Sequence, residues 1–167
     1  MEKVNPMIYW FFGYPGSGKD YCAHRFSALI GAEYFHADGF LTDEERDKLL
    51  RGVFTKQDRI IKLKRICDAL EAQTSKVIAI ADSLPDTASR EYVASRFGKK
   101  IQFIFASVLP EIHKERLLSR KNHFFNAELL DQWVATHWDE AISIPHKIID
   151  NNSSDIDDSL LELVSHE

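Results

Sequence analysis

Residues 7–20 read Met7-Ile8-Tyr9-Trp10-Phe11-Phe12-Gly13-Tyr14-Pro15-Gly16-Ser17-Gly18-Lys19-Asp20. An unbroken apolar run passes directly into a loop punctuated by glycine and closed by lysine, and that order decides the fold class. Continuous apolar character is what a strand covered on both faces requires. The loop is followed by a helical stretch from about Gly18 to Ile30. In a strand–loop–helix context, backbone N–H groups converge on phosphate oxygens at the positive end of a helix dipole. Gly13, Pro15, Gly16, Ser17, Gly18, Lys19 and Asp20 are therefore the candidate nucleotide contacts, with Lys19 on the outer phosphates. Asp20 departs from the pattern, because a serine or threonine hydroxyl normally stands there and helps hold Mg²⁺. A carboxylate beside a triphosphate repels it unless a cation lies between them, and then it becomes a hard-oxygen ligand. The alternative is a first-turn acid favoured by the helix dipole, in a loop whose nucleotide binding is weakened.

Outward from this stretch, β-forming runs recur at 33–36, 76–81, 101–108 and 147–150. Helical period separates them. Ile60, Leu63, Cys67 and Leu70 share one face behind Thr55-Lys56-Gln57-Asp58, a capping-box-like start. Ile156, Leu160, Leu163 and Val164 repeat the pattern after Ser153-Ser154-Asp155, which offers N-cap candidates. Strands alternating with helices predict a three-layer α/β domain with a parallel sheet and ligands beyond the carboxyl ends of the strands.

The chain of 167 residues is expected to form one domain over 1–167, with no repeat or linker. Its 21 basic and 26 acidic residues give a net charge of −5 without a basic run, which argues against a nucleic-acid partner. Cys22 and Cys67 have no CxxC spacing, so neither zinc nor a disulfide framework is expected, and a reducing, cytoplasmic setting fits. The apolar run at 7–12 is too short to cross a membrane or to form a signal-peptide core.

Further residues carry a family resemblance: Tyr34-Phe35-His36-Ala37-Asp38-Gly39-Phe40, then Arg46, Lys48, Gly52 and Asp58-Arg59, then Ala81-Asp82-Ser83-Leu84 and Arg90, and finally Arg116-Leu-Leu-Ser-Arg120-Lys-Asn-His123-Phe-Phe125. In order and spacing the chain resembles the gluconate kinase branch of the small P-loop kinases, relatives of shikimate kinase and adenylylsulfate kinase. The resemblance implies a P-loop NTPase of the nucleoside-monophosphate-kinase type, with five parallel strands and a lid at about 116–128. It also implies ATP with Mg²⁺ as donor and a small-molecule hydroxyl as acceptor. By the same resemblance Asp38 contacts the acceptor hydroxyl and takes its proton, Arg116 and Arg120 close over the nucleotide, and Arg120 offsets charge on the transferred group. His123 is expected in the lid as a hinge residue bonded to backbone, with a phosphate contact as the alternative.

Departures from the family cluster around the metal and the acceptor. His36 stands where the family has a first acid, and Asp82 stands where gluconate kinases have a serine and many P-loop proteins place an aspartate. Asp20 and Asp82 are accordingly the candidate metal ligands; for Asp82 a turn or N-cap acid ahead of the helix near Thr87 is the alternative. Pro85 and Asp86 replace two lysines of the gluconate kinases, which leaves Arg59, Arg90 and Lys56 as candidate acceptor contacts, with Arg59 and Lys56 equally readable as solvated helix charges. Trp133 and Trp138 read as packing, and His137 receives no role. The function expected is ATP-dependent phosphoryl transfer to a hydroxyl of a carbohydrate or sugar acid. A catalytically weak nucleotide-binding protein and a nucleoside or 5′-hydroxyl kinase are the alternatives, and monomer and homodimer both stay open. A GTPase is disfavoured by the lack of an Asn-Lys-x-Asp motif.

Overall fold

The structure is a computed structural model that describes residues 6–119, 127–139, 141–152 and 155–164. Strands β1 (Met7–Phe12), β2 (Glu33–Phe35), β3 (Val77–Ala81), β4 (Ile101–Ser107) and β5 (Lys147–Asp150) fall on the five β-forming runs of the sequence. They form one parallel sheet in the order β2-β3-β1-β4-β5. Among them run α1 (Lys19–Ile30), α2 (Asp43–Leu50), α3 (Lys56–Glu71), α4 (Thr87–Phe97), α5 (Pro110–Ser119), α6 (Ala127–His137) and α7 (Asp157–Glu162).

The central strand shows why its sequence is apolar throughout. Ile8, Trp10 and Phe12 point into one core with Leu63, Ile66 and Leu70 of α3, Val93 of α4 and Trp133 of α6. Tyr9 and Phe11 point the other way, onto Phe26 and Cys22 of α1 and Leu160 of α7. Period-two alternation with both faces covered leaves no position for a polar side chain. Phe26 sits between the Tyr9 and Phe11 rings, at centroid distances of 4.8 and 5.4 Å.

Helix starts follow local chemistry where the sequence supplies it. Thr55 and Asp58 form the expected capping box on α3, and Thr42 with Glu45 forms another on α2. The C-terminal helix differs from expectation: α7 begins after Ile156, which offers no side-chain cap, while Ser153 and Ser154 lie outside the described residues. Asp157 in its first turn pairs with Arg25 of α1 at 2.6 Å, and buried Ile156 and Leu160 hold the segment against the core. Both cysteines are buried and free. No helix among the described residues is long and apolar enough to cross a membrane.

The strand order carries the functional consequence. From β1 the chain moves to β2 on one side, and from β3 it crosses β1 to reach β4 on the other. The crevice at that reversal, outside the carboxyl end of β1, is where open α/β sheets bind ligands, and residues 13–20 occupy it.

Candidate active site

Beyond the ends of β1, β2 and β3 lies a cavity of about 320 Å³. The loop after β1 supplies Pro15, Gly16, Lys19 and Asp20, the 3₁₀ turn after β2 supplies Asp38, and the end of β3 supplies Ala81, Asp82 and Ser83. Helices α2 and α3 add Arg46, Leu49, Arg59 and Lys62, and Leu41, Phe54 and Trp133 complete the apolar wall. The expected donor loop, the expected base and both expected metal ligands thus face one space.

The donor loop is held from behind. The Pro15 carbonyl accepts from His113 Nε2 at 2.6 Å, and the Ser17 carbonyl accepts from Asn151 Nδ2 at 2.8 Å and from Arg116 at 3.3 Å. Arg116 also donates to the Asn151 carbonyl at 2.7 Å. Carbonyls engaged by protein donors do not present their negative ends to a phosphate. Gly18 is required twice over: its φ of +85° is left-handed, and a Cβ there would lie 2.1 Å from Asn151 Nδ2. Arg116, expected on the nucleotide, is therefore found bracing the loop that would hold the nucleotide. Arg120 and His123 lie outside the described residues.

Asp38 is exposed as a residue and lines the cavity. Desolvation raises its pKa above the ordinary carboxylate range, and the charges of Asp20 and Asp82 add to that, against the opposing pull of Lys19 and Lys62. Tyr34 next to it is pushed up to about 12 by burial and by the same Asp20 and Asp38 charges. His36 is exposed and packs edge-on against the Tyr34 ring at 4.6 Å.

The acceptor side differs from expectation. Arg90 does not line the cavity. Its buried guanidinium donates to the backbone carbonyls of Leu84 and Pro85 at 2.8 Å, and more loosely to Asp139 and Ala141 at 3.4 Å. It also lies 5.0 Å from the Trp138 ring and 5.6 Å from Phe12. The physical reason is local: Leu84 has a φ of +41°, a conformation costly for a branched side chain, and Arg90 pins the carbonyls of that turn. Arg59 does line the cavity, but as a buried group and not as a solvated charge. It donates to Asp86 Oδ2 at 3.2 Å and to His137 Nδ1 at 3.1 Å, under the Phe54 ring at 5.3 Å. Since arginine has no lone pair to offer, His137 must accept at Nδ1 and carry its proton on Nε2. Burial and the Arg59 charge push its pKa down to about 4. Lys56 is exposed and outside the lining.

The N-cap of α4 is Asp86, whose Oδ1 accepts from Ser89 N at 2.7 Å, so Asp82 is not a helix cap. Asp82 instead pairs with Lys62 at 3.1 Å. The sequence carries no local signal for the cavity roles of Lys62, Asp86 and His137 beyond one: Lys62 is three residues from Arg59 and hence on the same face of α3. Among the described residues no group of three or more His, Cys, Asp or Glu gathers as a metal cage. Mg²⁺ commonly takes one or two carboxylates and completes its shell with water and substrate phosphates. Asp20 and Asp82, in one cavity with Lys19, fit that donor set.

The family model for adenylylsulphate kinase matches residues 5–126. The chain belongs to this family. It is also 27% identical over 143 residues to a probable gluconokinase of Dictyostelium discoideum, covering 80% of this chain and 71% of that protein. Among solved structures, a sugar kinase from Janibacter sp. HTCC2649 superposes with a TM-score of 0.76 at 25% identity, covering 95% of this chain and 91% of the other. A gluconokinase from Sinorhizobium meliloti 1021 shares the fold with a TM-score of 0.72 at 21% identity, covering 96% and 89%. Family membership makes the chain a small-molecule kinase of the P-loop type and does not name its acceptor. Kinases of this family typically use ATP with Mg²⁺.

Proposed function

We propose that the protein transfers the γ-phosphoryl group of ATP to a hydroxyl of a small carbohydrate or sugar acid. The observation that carries the reading is the shared cavity, with Lys19 and Asp20 at the phosphate end and the raised-pKa carboxyl of Asp38 facing them. Lys19 and the loop N–H groups bind the phosphates. Asp38 orients the acceptor hydroxyl; as the new O–P bond forms and the β–γ bridging bond breaks, it takes the hydroxyl proton and ADP leaves. A base pKa nearer the working pH is better matched to that transfer than an ordinary carboxylate. Asp20 with Asp82 would hold Mg²⁺, which would supply neutralisation of phosphate charge. Arg120, within a lid at about 116–128, offsets charge on the moving group, since phosphoryl transfer leaves mainly positioning and electrostatics to the protein.

Asp38→Asn tests the reading. Turnover should fall roughly 10²- to 10⁴-fold, the usual worth of a general base, while ATP affinity stays within a few-fold. Equal losses of binding and rate would make Asp38 structural. ADP release across sugar acids, sugars, polyols and nucleosides, blanked with Lys19→Ala, identifies the acceptor. One observation favours a second reading, a nucleotide-binding protein without efficient catalysis: Asp20 replaces the loop hydroxyl, and His36 is outside the cavity lining. ATP binding that ignores Mg²⁺ would support it and remove the metal role of Asp20.

A further inference from the structure

We propose that the acceptor is an uncharged polyhydroxylated molecule rather than a sugar acid, and that Asp86 sets this preference by neutralising Arg59. The inference rests on the acceptor site described above and narrows it.

A substrate carboxylate needs a cation that is free to receive it, and bidentate capture by arginine needs two parallel N–H donors. Arg59 is already committed, with its charge balanced by Asp86 and each terminal nitrogen holding a protein partner. One terminal nitrogen is on Asp86 at 3.2 Å and the other on His137 at 3.1 Å. The pair is nearly sealed from water, with side-chain exposures of 4% for Arg59 and 2% for Asp86, so an incoming carboxylate would have to displace a desolvated partner. Lys62 is engaged in the same way by Asp82 at 3.1 Å. The remaining carboxylates of the cavity, Asp20 and Asp38, repel a second anion. Arg46 also lines the space and pairs with Asp43 at 3.5 Å. Against this charge balance stand groups suited to a neutral polyol: Phe54 and Trp133 for its C–H face, and Asp38 and Ser83 for its hydroxyls.

Asp86→Asn isolates the charge. An asparagine oxygen can still accept from Ser89 N and cap α4, while Arg59 is released to bind an anion. Asp86→Glu restores the charge and serves as the conservative control, and melting temperatures report whether each variant is folded. D-glucitol and D-gluconate share a carbon skeleton and differ in charge. Their dissociation constants are measured by calorimetry on the full chain with ADP and Mg²⁺ present. The wild type should bind glucitol at least about tenfold more tightly than gluconate. Asp86→Asn should move that ratio toward gluconate by about tenfold, and Asp86→Glu should keep the wild-type order. Gluconate binding as tightly as glucitol, neither ligand binding the wild type, or an unchanged ratio in a folded Asp86→Asn protein would each overturn the inference. Turnover is followed separately: absent ADP release with the binding order intact refutes phosphoryl transfer and leaves the charge assignment standing.

Discussion

The two ends that the proposed function assigns to the cavity, one for phosphate and one for the acceptor, are built by different means. The phosphate end is a main-chain structure: glycines at positive φ, and carbonyls of Pro15 and Ser17 tied to His113, Asn151 and Arg116. The acceptor end is a side-chain structure: Arg59 with Asp86 and His137, and Lys62 with Asp82. A main-chain site tolerates little change because each peptide serves the fold and the ligand together. A side-chain site can be rewired by a few substitutions while the fold persists, which is how one scaffold comes to serve different acceptors.

The comparison breaks first at the acceptor end. Arg59→Met leaves Asp86 charged and buried without its partner, and removing one member of a buried pair typically costs about 3–5 kcal/mol. Chemical denaturation should show that loss, with an unchanged denaturant slope. The double variant Arg59→Met with Asp86→Asn should recover most of it, since no charge is then stranded. A double variant no more stable than the single one would mean that Arg59 acts through packing on Phe54 instead.

Acid acts on the same cluster. His137 titrates at about 4 in the folded protein, below its ordinary 6.5. Between those values the unfolded chain holds a proton that the folded chain lacks, so stability is full above pH 6.5 and declines as pH falls toward 4. His137→Gln keeps an acceptor for Arg59 and does not titrate; its stability should fall less over that window. Parallel pH profiles for the two proteins would remove His137 from the account.

At the phosphate end, Gly18→Ala is the corresponding break. The left-handed φ costs of order 1–3 kcal/mol for a residue with a Cβ, and the 2.1 Å approach to Asn151 Nδ2 displaces the donor that holds the Ser17 carbonyl. ATP affinity should fall about 100-fold, equivalent to about 2.7 kcal/mol, with little change in acceptor binding. An equal loss at both ends would mean that the loop also shapes the acceptor pocket.

The same contrast explains what was legible. The runs at 7–12, 33–36, 76–81, 101–108 and 147–150 became the five strands because apolar periodicity is a local signal. Loop residues 13–20 were legible as a loop from their glycine spacing and closing lysine between a strand and a helix. The acceptor side was not: Arg59 finds its partners 27 and 78 residues away, and Lys62 finds Asp82 20 residues away. Nothing near Arg90 in sequence announces that it anchors a left-handed leucine. Asp86 was visible as a departure from the gluconate kinases, yet its double use as helix cap and counter-ion appears only once α3 and α4 lie side by side.

The mildest effect tests whether the ends speak to each other. Asp20 belongs to the phosphate end and Asp38 to the acceptor end, yet the Asp20 charge helps raise the Asp38 pKa. Asp20→Asn should lower it, because a carboxyl with one fewer anionic neighbour ionises more readily. The drop should be partial, since desolvation is the larger cause and the Asp82 charge remains. Carbon-detected NMR titration of the nucleotide-free protein reads this directly, without the confounding effect of a lost metal ligand on turnover. An Asp38 pKa that stays put would mean that water screens the two carboxylates from each other. Asp20 would then influence the acceptor base only through a bound cation, and the charge coupling across the cavity would vanish whenever nucleotide is absent.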